Sequence, residues 1–195
     1  MSEMVQSEVA DGRRARSERS KQAIIDASLA LIEQGNLIPT AQQISDQAGV
    51  GIRSFFRHFE DMETLFATID NHVSSGAREL YLGGDRDGTL EKRIWHAVNR
   101  RSEGYEEMTN LFLTTTAQLW RSEILRKNYA RVQRELRKDL EDWLPEIKQL
   151  ARGAREAVDA IASIEMWHRI RSHQGLGRAA AVEVVAGLLN SLVKD

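Results

Sequence analysis

The chain has 195 residues, of which 42% are hydrophobic and 29% charged, with a formal net charge of −2 and no cysteine. This length fits one domain, or two small ones, with a core large enough to need no cross-link. The absence of cysteine excludes a disulfide scaffold, a thiolate zinc site and a cysteine nucleophile. Because the net charge is close to zero, any argument for a nucleic-acid partner depends on local charge.

Long apolar runs are absent from the sequence. The first residues, MSEMVQSEVADGRR, lack the apolar core of a secretory signal. No stretch approaches the roughly 18 apolar residues that a membrane-spanning helix needs. We therefore expect a cytoplasmic protein that has no membrane partner.

Positive charge is concentrated near the N-terminus. Residues 13–59 contain seven Arg and Lys residues against four Asp and Glu residues. Four of these cations, Arg13, Arg14, Arg16 and Arg19, precede the first expected helix. A basic arm ahead of a helical module often follows nucleic acid, although a solvated tail has the same composition. We interpret residues 1–16 as a flexible basic N-terminal arm.

The apolar pattern predicts an all-α fold, because no segment shows the sustained alternation of a strand. The first helix has apolar residues at helical spacing and ends near Gly35. Residues 40–43 have the form of a capping box, in which the Thr40 hydroxyl caps a second helix and Gln43 reaches back. This helix ends at Gly49, which can adopt a left-handed backbone without steric cost.

A third short helix is expected at about 52–58, and Asp61 is expected to cap a fourth. Two short helices joined by a glycine-containing turn make residues 40–58 a helix-turn-helix. The second helix of such a pair can place its N-terminal residues in the major groove of DNA. Phe55 and Phe59 are expected in the core.

The rest of the chain is also predicted to be helical. A turn-rich loop at 83–88 comes first, and helices follow at about 89–101, 104–120, 122–144, 152–173 and 178–193. The last helix is apolar on both faces, which indicates that a partner subunit covers one of them. The residues expected at this dimer interface are Val184, Val185, Leu188, Leu189 and Leu192.

The stretch from Lys21 to Leu65 resembles the tetracycline-repressor (TetR) family of transcriptional regulators. The matching features are Ile24-Ile25-Asp26-Ala27, Gly35, Thr40, Ile44, Ala48-Gly49-Val50, Phe55-Phe56-Arg57-His58-Phe59, Glu63 and Leu65. The resemblance implies a DNA-binding domain over residues 17–60 and a helical ligand-binding and dimerisation domain over 61–195. It further implies a homodimeric repressor that a small-molecule effector releases from a palindromic double-stranded DNA operator.

The resemblance also assigns DNA contacts. The residues concerned are Lys21, Thr40, Gln43, Gly51, Ile52, Arg53, Ser54, Phe56, Arg57 and His58. By position, Ile52, Arg53, Ser54 and Phe56 face base edges. The residues placed for phosphates are Lys21, Thr40, Gln43, Arg57 and His58. Three of these residues also have simpler interpretations. Gln43 can do no more than close the capping box, Arg57 can be a solvated surface cation, and His58 can be a packed or capping histidine.

This sequence departs from the family pattern at four positions. Gly51 replaces a serine that caps the third helix, and Arg53 replaces a small glycine. Phe56 lacks the usual aromatic hydroxyl, and Met62 stands where a lysine is frequent. These changes weaken the expected phosphate contacts, while Arg53, Arg57 and the arm can replace them.

The C-terminal half contains residues that can line an apolar effector pocket or form ordinary core. The candidates for ligand binding are Trp95, Met108, Phe112, Thr115, Trp120, Tyr129, Trp167 and His168. The sequence does not identify the effector.

Two other functions remain open at this point. Glu165 and His168 form a Glu-x-x-His pair, which di-metal helical bundles use twice together with two further glutamates; this chain has a single such pair. We therefore predict no catalytic residue, no metal and no cofactor. The other alternative is a dimerisation protein with a decayed DNA-binding module. It stays open because Gly51, Phe56 and Met62 depart from the family pattern.

Overall fold

The computed structural model describes the backbone of residues 2–81 and 84–194, and the side chains of 12–73 and 84–194. Within these ranges every regular element is helical, which confirms the all-α prediction. The α-helices are α1 Ser2–Glu33, α2 Ala41–Ala48, α3 Ile52–His58, α4 Met62–Tyr81, α5 Leu90–Thr116, α6 Glu123–Trp143, α7 Arg152–Ile161, α8 Ile164–His168 and α9 Arg178–Lys194. A 3-10 turn covers Pro145–Gln149, and a π-helical turn covers Arg169–His173.

The chain forms two compact units. The N-terminal unit contains Met1–Asn71 and Asn110–Leu125, and the C-terminal unit contains His72–Thr109 and Arg126–Asp195. Helices α4 and α5 each contribute residues to both units. The N-terminal unit is therefore larger than the expected domain at 17–60, because it includes the start of α4 and a segment from the middle of the chain.

Helix α1 begins much earlier than its apolar pattern indicates. Arg13, Arg14, Arg16 and Arg19 were expected before the first helix, but they lie within α1. The Ser20 hydroxyl donates to the Arg16 carbonyl at 3.0 Å, and the segment contains no proline that would stop a helix. Once a helix has nucleated, each added residue gains a hydrogen bond at little cost. The side chains of residues 1–11, which belong to the predicted arm, lie outside the described residues.

The core of the N-terminal unit is apolar and brings together its first four helices. Phe55 and Phe59 of α3 are fully buried, which confirms their predicted place. They share this core with Ile24 of α1, Ile44 of α2 and Leu65 of α4. Burial of each such side chain stabilises the fold by roughly 1.5–3 kcal/mol, so these contacts decide where the exposed face of α3 points.

The middle segment of the chain joins this unit through two hydrogen bonds. The Asn110 side-chain amide donates to the Glu33 carbonyl at 3.2 Å, at the end of α1. The Ser122 hydroxyl donates to the Glu63 carboxylate at 2.5 Å, in the first turn of α4. Residues 110–125 thus belong to the N-terminal unit, which no local sequence pattern indicated.

The C-terminal unit differs from the predicted helix boundaries at two places. The helices expected at 89–101 and 104–120 are one continuous helix, α5, in which Gly104 is buried. Conversely, the helix expected at 152–173 is broken at Ala162. Ser163 caps α8 by accepting from the Met166 amide at 3.2 Å, and the Ala162 carbonyl accepts from the Tyr105 hydroxyl at 2.8 Å. The break is stable because these long-range contacts satisfy the carbonyl that the helix would otherwise use.

Over the described ranges, no helix combines the length and the apolar composition that crossing a membrane requires.

Candidate nucleic-acid interface

The start of the helix-turn-helix is held by the predicted capping box. The Thr40 hydroxyl accepts from the Gln43 amide at 3.2 Å, and the Gln43 side-chain oxygen accepts from the Thr40 amide at 2.9 Å. At the other end of α2, Gly49 has a φ of 65°, which confirms its left-handed backbone. The Val50 amide donates to the Ser45 carbonyl at 3.0 Å and closes the turn. This turn fixes the direction in which α3 leaves α2.

Helix α3 presents one face to the core and the other to solvent. Phe55 is fully buried, whereas the neighbouring Phe56 is 52% exposed. Arg53 is also exposed, and Ile52 is half-buried at the start of the helix. Gly51 is the N-cap and makes no side-chain cap bond, as the departure from serine implies. The solvent-facing side of α3 therefore carries an aliphatic, a cationic and an aromatic side chain on a rigid support.

Ser54 and Arg57 contact each other across one turn of α3. The Arg57 guanidinium donates to the Ser54 hydroxyl at 2.8 Å. The sequence assigned the two residues to different targets, a base edge and a phosphate. In the free protein they form one polar pair, and Ser54 holds the cation near the end of α3.

The end of α3 is electropositive. His58 is half-buried, and its Nε2 atom has no hydrogen-bond partner among the described residues. Burial lowers the pKa of His58, and the charges of Arg57 and Lys21 lower it further. The charges of two cations therefore disfavour a protonated imidazole here, whereas the charge of Glu18 raises the pKa of His58. An anion such as a DNA phosphate is favoured beside such a group.

Asp61 caps α4, as predicted. Its carboxylate accepts from the Thr64 amide at 2.7 Å, and this hydrogen bond lowers the pKa of the carboxyl group. The residue that follows, Met62, begins α4.

The predicted ligand-binding residues are divided between the two units. Phe112, Thr115 and Trp120 belong to the N-terminal unit, and the other five belong to the C-terminal unit. Trp120 and Trp95 are 81% and 50% exposed, respectively. Both tryptophans therefore face solvent in this structure, and their part in ligand binding stays a prediction.

The other candidates have varied surroundings. Thr115 is buried, and Met108 and Phe112 are half-buried. The Tyr129 hydroxyl donates to the Glu165 carboxylate, and burial together with this contact raises the pKa of the tyrosine. The His168 Nδ1 atom lies 3.1 Å from the hydroxyl of Ser172.

Trp167 does line a cavity of the C-terminal unit, and it does so with residues that the sequence did not single out as site residues. Among them are Arg101 and Ser102 of α5. The Trp167 indole donates to the Glu106 carboxylate at 2.9 Å. Arg101 follows Arg100 in a charged stretch that looks like a solvated surface, so no local signal marked it.

The predicted dimer residues also divide into two sets. Val184 and Leu188 are 39% and 40% exposed, and Leu192 is half-buried. Val185 and Leu189 are buried and line the same cavity as Trp167. One face of α9 therefore packs inside its own unit at these two residues, and their assignment to the dimer interface stays a prediction.

The single Glu-x-x-His pair is engaged locally. Glu165 accepts from Tyr129, and His168 contacts Ser172. In the part of the chain that the structure describes, no group of three or more His, Cys, Asp or Glu side chains could hold a metal ion.

Comparison with known proteins gives one match to a family model and several solved structures with a similar fold. Residues 24–69 match the family model described as bacterial regulatory proteins of the tetR family. A transcriptional regulator from Streptomyces coelicolor A3(2) is 23% identical with a TM-score of 0.58, covering 88% of this chain and 98% of that one. One from Rhodococcus sp. is 16% identical with a TM-score of 0.67, covering 91% and 96%.

A TetR-family regulator from Mesorhizobium loti is 16% identical with a TM-score of 0.66, covering 92% of this chain and 97% of that one. Identities at this level show a shared fold. No curated protein matches the sequence.

Proposed function

We propose that this chain, which is a TetR-family DNA-binding transcriptional regulator, is a homodimeric repressor that a small molecule releases from a palindromic operator. The observation that carries the proposal is the exposed face of α3, where Ile52, Arg53 and Phe56 stand on a core built from Phe55 and Phe59. A cation beside exposed apolar side chains on one rigid helix suits a partner that is polyanionic and also offers apolar groups, as the major groove of DNA does.

Each exposed side chain of α3 suits a part of the major groove. The Arg53 guanidinium can donate to O6 and N7 of guanine together, and Ile52 and Phe56 can pack on a thymine methyl. Arg57 and His58 lie at the other end of α3, and the charge of Lys21 on α1 acts on His58. These residues suit phosphates, together with Thr40 and Gln43 at the start of α2. Phosphate contacts set the position of the module on the duplex, and base contacts set its sequence preference.

The homodimer is proposed from α9. Val184 and Leu188 lie one turn apart on the same helix face and are both exposed. An obligate interface buries upward of roughly 2,000 Å² and is more apolar than the rest of the surface. A two-fold axis at this face would present two α3 helices to half-sites about one turn of DNA apart.

Release by a ligand requires two conformations of the dimer. A ligand that binds one of them better shifts the population away from the form that fits the operator. DNA must then weaken ligand binding by the same factor. We place this regulator in the cytoplasm and propose no enzymatic activity for it.

The decisive experiment is selection of bound duplexes from a random pool by the purified full chain. We expect an inverted repeat with half-sites centred about 10 base pairs, or a multiple of that, apart. Recovery of unrelated sequences with no repeat would contradict the proposed palindromic operator. A salt-dependent affinity measurement on the selected duplex then separates a working module from a decayed one, because a decayed module gives neither affinity nor salt dependence.

A further inference from the structure

Ser54 and Arg57 form a side-chain pair on the solvent-facing side of α3. The Arg57 Nη2 atom donates to the Ser54 hydroxyl at 2.8 Å. Ser54 is half-buried, and Arg57 is exposed. Residues three positions apart are neighbours on a helix surface, and helical side chains lean toward the N-terminus of the helix. The Arg57 guanidinium therefore lies back over the turn at Ser54 instead of extending past the end of α3.

The hydrogen bond of Ser54 differs from those of other helical serines in this chain. Serine in a helix commonly donates to the carbonyl of the preceding turn. Ser20, Ser28 and Ser191 do this, with donor–acceptor distances of 3.0, 2.7 and 3.0 Å. Ser54 instead accepts from a side chain. Its hydroxyl oxygen therefore acts on the conformation of Arg57.

The partner of Arg57 is neutral, unlike the partners of arginines in the C-terminal unit. Arg137 donates to Glu156 at 2.9 Å, and Arg171 donates to Glu106 at 2.7 Å. A carboxylate orients an arginine and also neutralises it, whereas a hydroxyl only orients it. The hydrogen bond from Arg57 therefore leaves its full positive charge for an external anion.

Positive charge prevails at this end of α3. The helix, IRSFFRH, contains no acidic residue, and the exposed Arg53 lies one turn before Arg57. The charges of Arg57 and of Lys21 on α1 both lower the pKa of His58, whereas the charge of Glu18 on α1 raises it. Two cations and one carboxylate thus act on the last residue of α3, and this excess of positive charge favours a phosphate.

An arginine that already has a fixed conformation binds an anion at a lower cost. A long side chain that DNA immobilises loses rotamer freedom. Because Ser54 holds Arg57 in the free protein, part of this entropy is lost before DNA arrives. The guanidinium has further N–H donors besides the one given to Ser54, and these remain for phosphate oxygens.

We infer that Ser54 is a positioning residue, which holds the Arg57 guanidinium for one phosphate of the operator and reads no base. The inference rests on the proposed function, and it replaces the base contact that the resemblance assigns to Ser54. The two residues then act as one unit, so that the serine contributes to DNA affinity only through the arginine. A double-mutant cycle measures such coupling directly.

The test is this cycle on the selected duplex, measured by fluorescence anisotropy with the purified full chain. Arg57→Ala should weaken binding roughly 10- to 100-fold for each half-site, the range for a hydrogen bond to a charged group. The salt slope should fall by about 0.9 for each phosphate given up. Ser54→Ala should weaken binding roughly 2- to 10-fold for each half-site, the effect of ordering one long side chain.

In the Arg57→Ala background, Ser54→Ala should have no further effect. An equal loss in both backgrounds would show that Ser54 contacts DNA independently, and it would overturn the inference. An Arg57→Ala variant with an unchanged salt slope would do the same, because Arg57 would then neutralise no phosphate.

Two variants of the same shape separate the hydroxyl from the rest of the side chain. Threonine and valine have nearly the same size and helix propensity, but only threonine carries an acceptor. Ser54→Thr should bind like the wild type and Ser54→Val like Ser54→Ala, at similar melting temperatures. Equal affinities for Ser54→Thr and Ser54→Val, or affinities that follow the melting temperature, would mark a purely structural role and overturn the inference.

Operators substituted base by base test whether Ser54 reads sequence. Ser54→Ala should weaken binding by the same factor on each of them, since phosphate contacts carry no base information. A preference lost at one base pair would make Ser54 a base-reading residue and contradict the positioning role. A wild type that binds no duplex contradicts the proposed function together with this inference, whereas an additive cycle on a duplex that the wild type binds contradicts only the role of Ser54.

Discussion

The helix-turn-helix region and the C-terminal unit hold their polar side chains by contacts of very different range. In the helix-turn-helix region the contacts join residues three positions apart: Thr40 with Gln43, Ser54 with Arg57, and Asp61 with Thr64. In the C-terminal unit they join residues more than 60 positions apart: Arg101 with Ala162, Glu106 with Trp167, and Asn99 with Arg178.

This difference explains what each unit can do. The polar contacts of the helix-turn-helix region are exposed and local, so the fold of this region depends on the apolar core, and its surface residues are available for DNA. The polar contacts of the C-terminal unit are partly buried and tie α5 to α8 and α9. A change in any of them alters how those helices pack, which is the property that an effector site needs.

The largest effect is expected when the apolar support of α3 is removed. Phe55→Ala should lower the free energy of unfolding by roughly 3–5 kcal/mol, because a fully buried ring leaves a cavity. Urea unfolding followed by circular dichroism measures the change, and operator binding should disappear with it. Phe56→Ala is the control: with 52% of the ring exposed, it should change stability little and weaken only DNA binding. Equal destabilisation by both variants would contradict the proposed orientation of α3.

Leu188→Arg should break the proposed dimer. Burial of an unpaired guanidinium costs roughly 3–5 kcal/mol, and a two-fold interface would bury two of them. Sedimentation at micromolar concentration should show a dimer for the wild type and a monomer for the variant. Ala179→Arg, at an exposed position on the other side of α9, should leave the dimer intact. If the wild type is a monomer under these conditions, the proposed interface and the proposed palindromic operator are both contradicted.

Arg53→Ala tests whether exposed residues of α3 read bases. A bidentate contact to guanine contributes roughly 1–3 kcal/mol of discrimination at one base pair in each half-site. The variant should lose preference at that base while its melting temperature stays unchanged. Arg53→Lys should restore affinity better than specificity, because lysine lacks the fork geometry. Operators substituted base by base provide the measurement, and a uniform decrease in affinity across all of them would identify a phosphate interaction instead.

Deletion of residues 1–16 tests the basic start of α1. It removes Arg13, Arg14 and Arg16, and the slope of log affinity against log salt should fall by about 0.9 for each phosphate that the shortened protein no longer neutralises. The preferred sequence should not change, since phosphate interactions carry no base information. Fluorescence anisotropy at several salt concentrations measures the slope. An unchanged slope would mean that this part of α1 is merely solvated.

Glu106→Gln tests the long-range contacts of the C-terminal unit. It is the substitution with the smallest expected effect. Because Glu106 is 37% exposed, its ion pair is partly screened, and we expect the free energy of unfolding to fall by about 1 kcal/mol. Hydrogen exchange should become faster over α8 and the π-helical turn and stay unchanged in α2 and α3.

The pH dependence of Glu106 gives that prediction a second readout. The hydrogen bond from Arg171 lowers the pKa of Glu106 in the folded protein, so its stabilisation is present above the unfolded pKa of about 4.3. It is lost as the pH falls through the folded pKa. The wild type and the variant should therefore differ at neutral pH and converge in acid. A difference that persists in acid would show that the carboxylate charge does not hold this segment.

Much of the N-terminal half could be predicted from its residues. The capping box at Thr40, the left-handed Gly49, the cap at Asp61 and the burial of Phe55 were all predicted correctly. Each of these depends on residues within one helical turn, or on the spacing of apolar residues along one helix. The contacts of α3 with DNA stay a prediction.

Several features of the C-terminal half were predicted incorrectly for a common reason. The break at Ala162 has no proline or glycine to mark it, and Ser163 acts as a cap only because Tyr105 and Arg101 occupy the carbonyl before it. The helices predicted at 89–101 and 104–120 are one helix, and Gly104 is buried in the middle of it. Local propensity differs by about 1 kcal/mol for a single glycine, and tertiary packing outweighs that.

The sequence by itself determined the helical class, the helix-turn-helix and the residues that support it, because periodicity and capping are properties of neighbouring positions. Only the tertiary structure decided that Arg101 is buried beside a cavity and that Val185 and Leu189 face inward while Val184 and Leu188 face outward. Helix α9 is apolar on both sides, so its pattern alone does not say which side its own unit covers. That choice depends on helices whose residues are distant in the chain, and it is made when they pack together.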